Sequence, residues 1–310
     1  MPLLRPLKPL FSRPLAYVMP LSIMASPEQL ERLDTMRESV ARYLANDELA
    51  IPMLPDVAVK VVRTGTKTSG NAHSLADIIA ADQALTMYVL RIAASAAKRP
   101  VSPIVSLQHA VAWLGLDEVA NIAFTLALQG KMLDVEDQQR KARRLWRHSL
   151  ASALWSRQLA HMLARETGLS YLCGLLHNIG KVVTLGAVHE VAHRDNEPLS
   201  AEDYDLLIEL FHRDVGKSVI AAWALPMPIP NVVAHWEDYR NAGDVQWESN
   251  VVNVAHRLAD FTLHEPHMLT RDLIVQDPAY RDLGLSADDG EPLFDSASSI
   301  SGELDRYLSP

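Results

Sequence analysis

From residue 26 onward the chain is punctuated the way helices are: capping side chains, first-turn prolines, apolar residues at three- and four-residue spacing, and glycine stops. Period-2 alternation bounded by hairpin turns is absent. A chain so patterned has only helix faces with which to build a core, so an all-α fold is predicted. Ser26-Pro27-Glu28 opens the first helix, with Leu30, Leu33, Met36 and Val40 on one face, and it is expected to be half exposed. Pro55 restarts a helix after Pro52, and a loop with Gly65 and Gly70 follows. Ser74 to Asp77 resembles a capping box, Asp82 caps a helix from Gln83 to Ser95, and Ser106 caps another that Gly115 ends. A helix from Asp117 is expected to close at Gly130. A long one through Trp146, Leu150, Leu154 and Met162 is expected to end at Gly168, and one opening at Ser170 to break at Gly180. Further helices are placed at 202–210, 214–224, 228–236 and 247–263.

Composition narrows the class. The 310 residues are 48% hydrophobic with a net charge of −9, which fits a globular protein and removes the field that would draw the whole molecule to nucleic acid. A single cysteine, Cys173, in an apolar stretch predicts a reducing compartment, the cytoplasm, and a thiol that merely packs. The strongest apolar stretch, 104–116, is too short to cross a bilayer, so no membrane insertion is expected.

Residues 1–24, basic and proline-rich, are read as a flexible extension. The domain proper is placed at 25–275, split into an N-terminal helical lobe at 25–135 and a second lobe at 136–275. The charged run from Asp134 to Arg144 marks the seam and is read as a solvated face. Residues 276–310 hold eight acids against two arginines and are expected to be an irregular acidic tail with a short helix near 303–308. Trp113, Trp146, Trp155 and Trp223 are expected in the core, and Trp236 and Trp247 at the surface.

The residues that carry chemistry are histidines of the second lobe: His148, His177, His212 and His235, with Asp260. Neutral imidazoles and a carboxylate from separate helices can hold Mn, Fe or Zn in a helical bundle. Their separations, 23 to 35 residues, carry no metal signature of their own, and a histidine on an apolar face equally serves as a hydrogen-bonded core residue. His256 and Asp260 form an i, i+4 pair that either orients Asp260 or is a local contact. No Walker loop, Gly-x-Ser-x-Gly elbow or CxxC is present.

The order of motifs resembles the HDOD family, the HD-related output domains of bacterial signalling. It runs from Ile51-Pro52-Met53-Leu54-Pro55-Asp56-Val57-Ala58 through Ser74-Leu75-Ala76-Asp77, Asp82-Gln83-Ala84-Leu85-Thr86 and Val105-Ser106-Leu107-Gln108-His109-Ala110-Val111. It continues with Leu145-Trp146-Arg147-His148-Ser149, Gly174-Leu175-Leu176-His177-Asn178-Ile179-Gly180-Lys181 and Trp223-Ala224-Leu225-Pro226. The resemblance covers about 50–265 and implies a two-lobed helical fold whose second lobe is an HD-like bundle.

In the parent HD superfamily the metal ligands are a first His, a His-Asp pair and a distal Asp. The resemblance maps these onto His148, His177 and Asp260, with His212 and His235 near accessory positions, but Asn178 stands where the paired Asp belongs. Losing a bridging carboxylate costs several kcal/mol of ion attraction even at an effective dielectric of about 20. Without a metal there is no activated water at neutral pH.

Two readings stay open: a polar network of His148, His177, Asn178 and Asp260 that pins the bundle, or a weakened site for one ion held by His148, His177 and Asp260. Lys181 either meets a phosphate or is solvated. The expectation carried forward is a non-catalytic signalling output module that needs no cofactor and binds a signalling protein. The alternative is a metal-dependent phosphohydrolase or cyclic-nucleotide phosphodiesterase, and a third use of the pocket is to bind a nucleotide without turnover.

Overall fold

The structure is a computed structural model that describes residues 27–45, 51, 53–65, 72–94, 104–133, 135, 137–263 and 270–308. The expected extension at 1–24 and the Ser26 cap lie outside these. Among the described residues all regular structure is helical, as the sequence predicts.

The first group comprises α1 (Pro27–Ala45), α2 (Asp56–Gly65), α3 (Ala72–Ala80), α4 (Gln83–Ala94), α5 (Leu107–Leu114) and α6 (Leu116–Met132). Asp82 accepts from the Leu85 amide at 3.0 Å and Ser106 from the His109 amide at 3.1 Å, so both expected caps form. Gly115, at φ +90°, supplies the 120° bend between α5 and α6 that a residue with a Cβ would resist. Three boundaries differ from expectation. Gly65 is the last residue of α2 rather than part of a loop, α3 begins two residues before Ser74, and α6 continues through Gly130, where no tertiary contact forces a stop.

Helices α2 to α6 pack on one another, whereas α1 lies mainly on the second group. Its Met36, Val40 and Leu44 are buried, and Arg32 donates to Asp203 Oδ2 and the Pro198 carbonyl at 2.8 Å each.

The second group is α7 (Gln139–Met162), α8 (Thr167–Leu176), α9 (Ile179–Arg194), α10 (Ala201–Trp223), α11 (Ile229–His235) and α12 (Gln246–Leu263). Here α7 packs on α8 and α12, and α9 on α10. The expected helices at 202–210 and 214–224 are one continuous α10, and α9 fills a stretch given no helix from sequence. Likewise α7 ends at Met162, and α8 starts where Glu166 accepts from the amides of Gly168 and Leu169. The break falls at His177-Asn178, not at Gly180.

Gly180 is instead a contact residue. A Cβ on it would collide with the His212 carbonyl oxygen and come within 2.7 Å of the Gly216 nitrogen, both on α10. Gly174 on α8 plays the same part toward α7, where a Cβ would sit 2.7 Å from the Ser152 carbonyl oxygen. The dipeptide His177-Asn178 is thus held between two points where backbones meet without side chains between them.

The acidic C-terminal segment is ordered and helical, which corrects the expectation of an irregular tail. Helices α13 (Arg271–Gln276), α14 (Pro278–Asp282), α15 (Gly290–Asp295) and α16 (Ala297–Leu308) bury Ile274, Tyr280, Leu293, Phe294, Ile300, Leu304 and Tyr307. Ile300, Leu304 and Tyr307 recur at helical spacing, so the acids fall on the other face, and a charge count hides that periodicity. Arg157 on α7 anchors α16, donating to Glu303 at 2.7 Å and to Glu118 of α6 at 2.6 Å.

Two tryptophans exchange their expected places. Trp113 is 36% exposed, because it lies on the outer side of a short helix, and Trp236 is buried against the histidines. One stretch, Thr167–Arg194, is long and apolar enough to cross a membrane, but 89% of its apolar window is buried in the protein.

Candidate functional site

His148 stands on α7, His177 caps the end of α8, Asn178 precedes α9, and His256 and Asp260 lie one turn apart on α12. The Gly174 and Gly180 approaches bring the His177-Asn178 corner against α7 and α10. The α7–α12 packing brings the other three residues to meet it.

The side chains interlock. His148 Nε2 donates to Asp260 Oδ1 at 2.8 Å, while its Nδ1 lies 3.5 Å from both Asn178 Nδ2 and Ser152 Oγ. His177 Nδ1 donates to the Gly174 carbonyl at 2.6 Å, which fixes its tautomer and turns the Nε2 lone pair toward His256 Nδ1, 3.0 Å away. The ligand-capable atoms of His148, His177 and His256 all lie within 4.8 Å of one another. Trp236 closes the cluster, its ring edge-on to His177 at 4.8 Å between centroids and tilted at 4.7 Å over His256. Among the described residues Asn178 Oδ1 is buried with no hydrogen-bond partner.

Burial pushes the His177 and His256 pKa values well below the usual histidine range, and the neighbouring imidazoles push in the same direction. Both are therefore neutral at physiological pH; the His177 Nε2 lone pair accepts from His256 Nδ1, and His256 keeps its own lone pair at Nε2.

A second network adjoins the first. Lys181 Nζ donates to Glu209 Oε1 at 2.5 Å, and His212 Nε2 lies 3.3 Å from Glu209 Oε2 and 3.7 Å from Glu237 Oε1, while Glu237 Oε2 pairs with Arg213. Burial alone would raise the Glu209 pKa, but hydrogen bonds from His212 and Lys181 hold it down to about 2. His212, buried, is lowered.

The sequence-derived residues therefore separate into three sets. His148, His177, Asn178 and Asp260 do meet. His212 and Lys181 belong to the carboxylate network beside them, with Lys181 already ion-paired. His235 is half-buried and donates to the Asn231 carbonyl of its own helix at 2.8 Å. Sequence reasoning gave His256 only a supporting part, although its i, i+4 relation to Asp260 was the visible signal. Trp236 and Glu209 carried no signal, since only the folding of the segment after α11 against α12 brings Trp236 inward.

As a donor set, three imidazoles, one carboxylate and one amide oxygen without a partner fit a single divalent ion of the Mn, Fe or Zn type, held by His148, His177 and His256 with Asp260 supplying charge. They do not fit a pair of ions. No second carboxylate lies where Asn178 stands, and an amide does not bridge two cations.

Comparison with known proteins agrees with this architecture. The chain is 25% identical over 222 residues to an uncharacterized protein of Treponema pallidum (strain Nichols), a match covering 69% of this chain and 42% of that protein. It thus spans about two fifths of the length of that curated relative. Among solved structures, an HDOD domain protein of unknown function from Geobacter sulfurreducens superposes with a TM-score of 0.68 at 22% identity, covering 89% of this chain and 98% of the other. A Shewanella amazonensis SB2B protein, named as a proposed metal-dependent phosphohydrolase, gives 0.69 at 21% identity over 88% and 99% of the two chains. A Marinobacter aquaeolei VT8 protein, named as a proposed signal transduction protein, gives 0.65 at 21% identity over 96% and 69%. At these identities the likeness is one of fold. The sequence pattern of the HDOD domain matches residues 51–239, well over half of the chain, and the chain belongs to the HDOD domain family.

Proposed function

We propose that this protein is a non-catalytic signalling output module of the HDOD type, which acts by binding a protein partner and uses its histidine cluster as a structural pin. One observation carries the reading: the cluster contains a single carboxylate, Asp260, and it is hydrogen-bonded to His148, while the HD pair is His177-Asn178. Attraction between a divalent ion and a carboxylate at about 4 Å is several kcal/mol even at an effective dielectric near 20, so the missing charge weakens metal affinity by orders of magnitude. Lys181, the cation nearest to a phosphate role, is neutralised by Glu209. The name given to the Marinobacter fold neighbour is consistent with a signalling role.

The test is metal content per chain, by mass spectrometry, on protein produced with added Mn and Fe. Near-zero metal in the wild type and appreciable metal in Asn178→Asp are expected. Near-stoichiometric metal in the wild type overturns the reading. A second reading, a single-ion phosphohydrolase, is favoured by the 4.8 Å grouping of the three imidazoles and by the name given to the Shewanella neighbour. It requires phosphodiester hydrolysis that depends on Mn or Fe and is abolished by His177→Ala.

A further inference from the structure

Away from the histidines, a cavity of about 590 Å³ opens where α4, α6, α7 and α16 meet. That volume lies within the range of small-molecule sites, and Leu126, Leu133 and Leu308 make much of its lining apolar. Two features of the remaining wall have no structural use. Arg143 and Arg147 stand one turn apart on α7, both exposed, and among the described residues neither has a hydrogen-bond or ion-pair partner. Like charges at this spacing repel, so the pair by itself weakens the helix. Deeper in, Trp146 is 1% exposed with its indole N–H unpartnered, and Gln129 Oε1 is likewise buried without a donor. The two buried atoms lie behind the cavity wall and not open to it, so it is the apolar cavity together with two unneutralised guanidinium groups at its rim that has the character of a recognition site.

We propose that this cavity binds an organic anion with an apolar body, its phosphate or carboxylate taken by Arg143 and Arg147 and its body lying among the leucines beside Trp146. Nucleotides and fatty acids share this chemistry. Because Tyr307 and Leu308 form part of the wall, an occupant also braces α16. The site is independent of the histidine cluster: on α7, positions 146 and 148 lie on opposite sides of the helix.

The test is a fluorescence titration of the full chain, in chelator, with 1-anilinonaphthalene-8-sulfonate, an aromatic anion. Binding of one probe per chain is expected. The double variant Arg143→Ala/Arg147→Ala is expected to weaken it about tenfold or more. Gly130 also lines the cavity and a Cβ on it would meet nothing within 4 Å, so Gly130→Leu is expected to block the probe. It replaces a poor helix former with a good one, so the fold is retained, as circular dichroism will report. Displacement by GMP identifies a nucleotide-type occupant, and displacement by decanoate a fatty acid. Absence of binding, binding unchanged in both variants, or displacement by neither competitor overturns the proposal. Since no metal is present and no histidine is altered, none of these outcomes depends on the reading of the cluster.

Discussion

His148 Nε2 and Asp260 Oδ1 are 112 residues apart in sequence and 2.8 Å apart in space, so one hydrogen bond ties the centre of α7 to the last turns of α12. His148 is buried and the Asp260 side chain is 20% exposed, so removing either partner strands a polar group in a mostly dry setting. Asp260→Ala is expected to cost about 1–3 kcal/mol. The check is a double-mutant cycle with His148→Ala in urea. Strict additivity of the two variants would mean that the pair contributes nothing to the native state.

Acid sensitivity should begin near neutrality. His177 and His256 have folded-state pKa values well below the ordinary value of about 6.5, so the folded state disfavours protons that the unfolded chain accepts. Their contribution to stability is complete above about pH 6.5 and declines as pH falls below it, by up to about 1.4 kcal/mol per pH unit for each residue. Glu209, held to about 2, acts in a separate window. Its contribution is present above its unfolded value, near 4.3, and is lost as pH falls toward 2. Thermal midpoints measured from pH 8 to pH 4.5 should fall, and His256→Asn should flatten the curve. A flat wild-type curve would contradict the neutral-imidazole assignment.

Gly174 and Gly180 should be the least replaceable glycines. Alanine at either forces backbone apart at α7–α8 or α9–α10, and overpacking of this kind costs about 1–3 kcal/mol or more. Gly186, also on α9, has open space around the same position, so Gly186→Ala should stabilise by about 0.5–1 kcal/mol. Urea midpoints of the three variants decide the matter, and a tolerated Gly180→Ala would show that α9 and α10 do not touch as described.

Arg157 joins Glu118 of α6 and Glu303 of α16, so its loss should be felt far from its own helix. Arg157→Leu leaves two partly buried carboxylates facing each other and is expected to cost about 3–5 kcal/mol, more than Glu303→Gln, which leaves the arginine paired with Glu118. The comparison is made by denaturant unfolding at pH 7, with hydrogen exchange in 297–308 reporting the release of α16. Equal costs for the two variants would count against the arrangement.

The helical class, the Asp82 and Ser106 caps and the four site residues His148, His177, Asn178 and Asp260 were all legible in the sequence, because each is a local pattern or a motif. Capping depends on residues three apart and amphipathic burial on residues three or four apart, and such relations survive in one dimension. What the sequence misplaced depends on distance in space. Gly180 looked like a stop because glycine usually ends helices, but its neighbour across the gap is His212, 32 positions away and on another helix. Trp236 looked exposed beside a polar loop, and it is buried because the segment after α11 folds onto α12 beside His177 and His256. The acidic C-terminal segment looked unable to pack until α7 and α12 supplied a surface for Ile300, Leu304 and Tyr307. The sequence alone determined the all-helical class, most of the helices before residue 264 and which side chains had chemistry to offer, but not α9 or the helices of the C-terminal segment. Only tertiary structure decided which of them meet, since burial and contact belong to pairs of helices and no single helix carries that information.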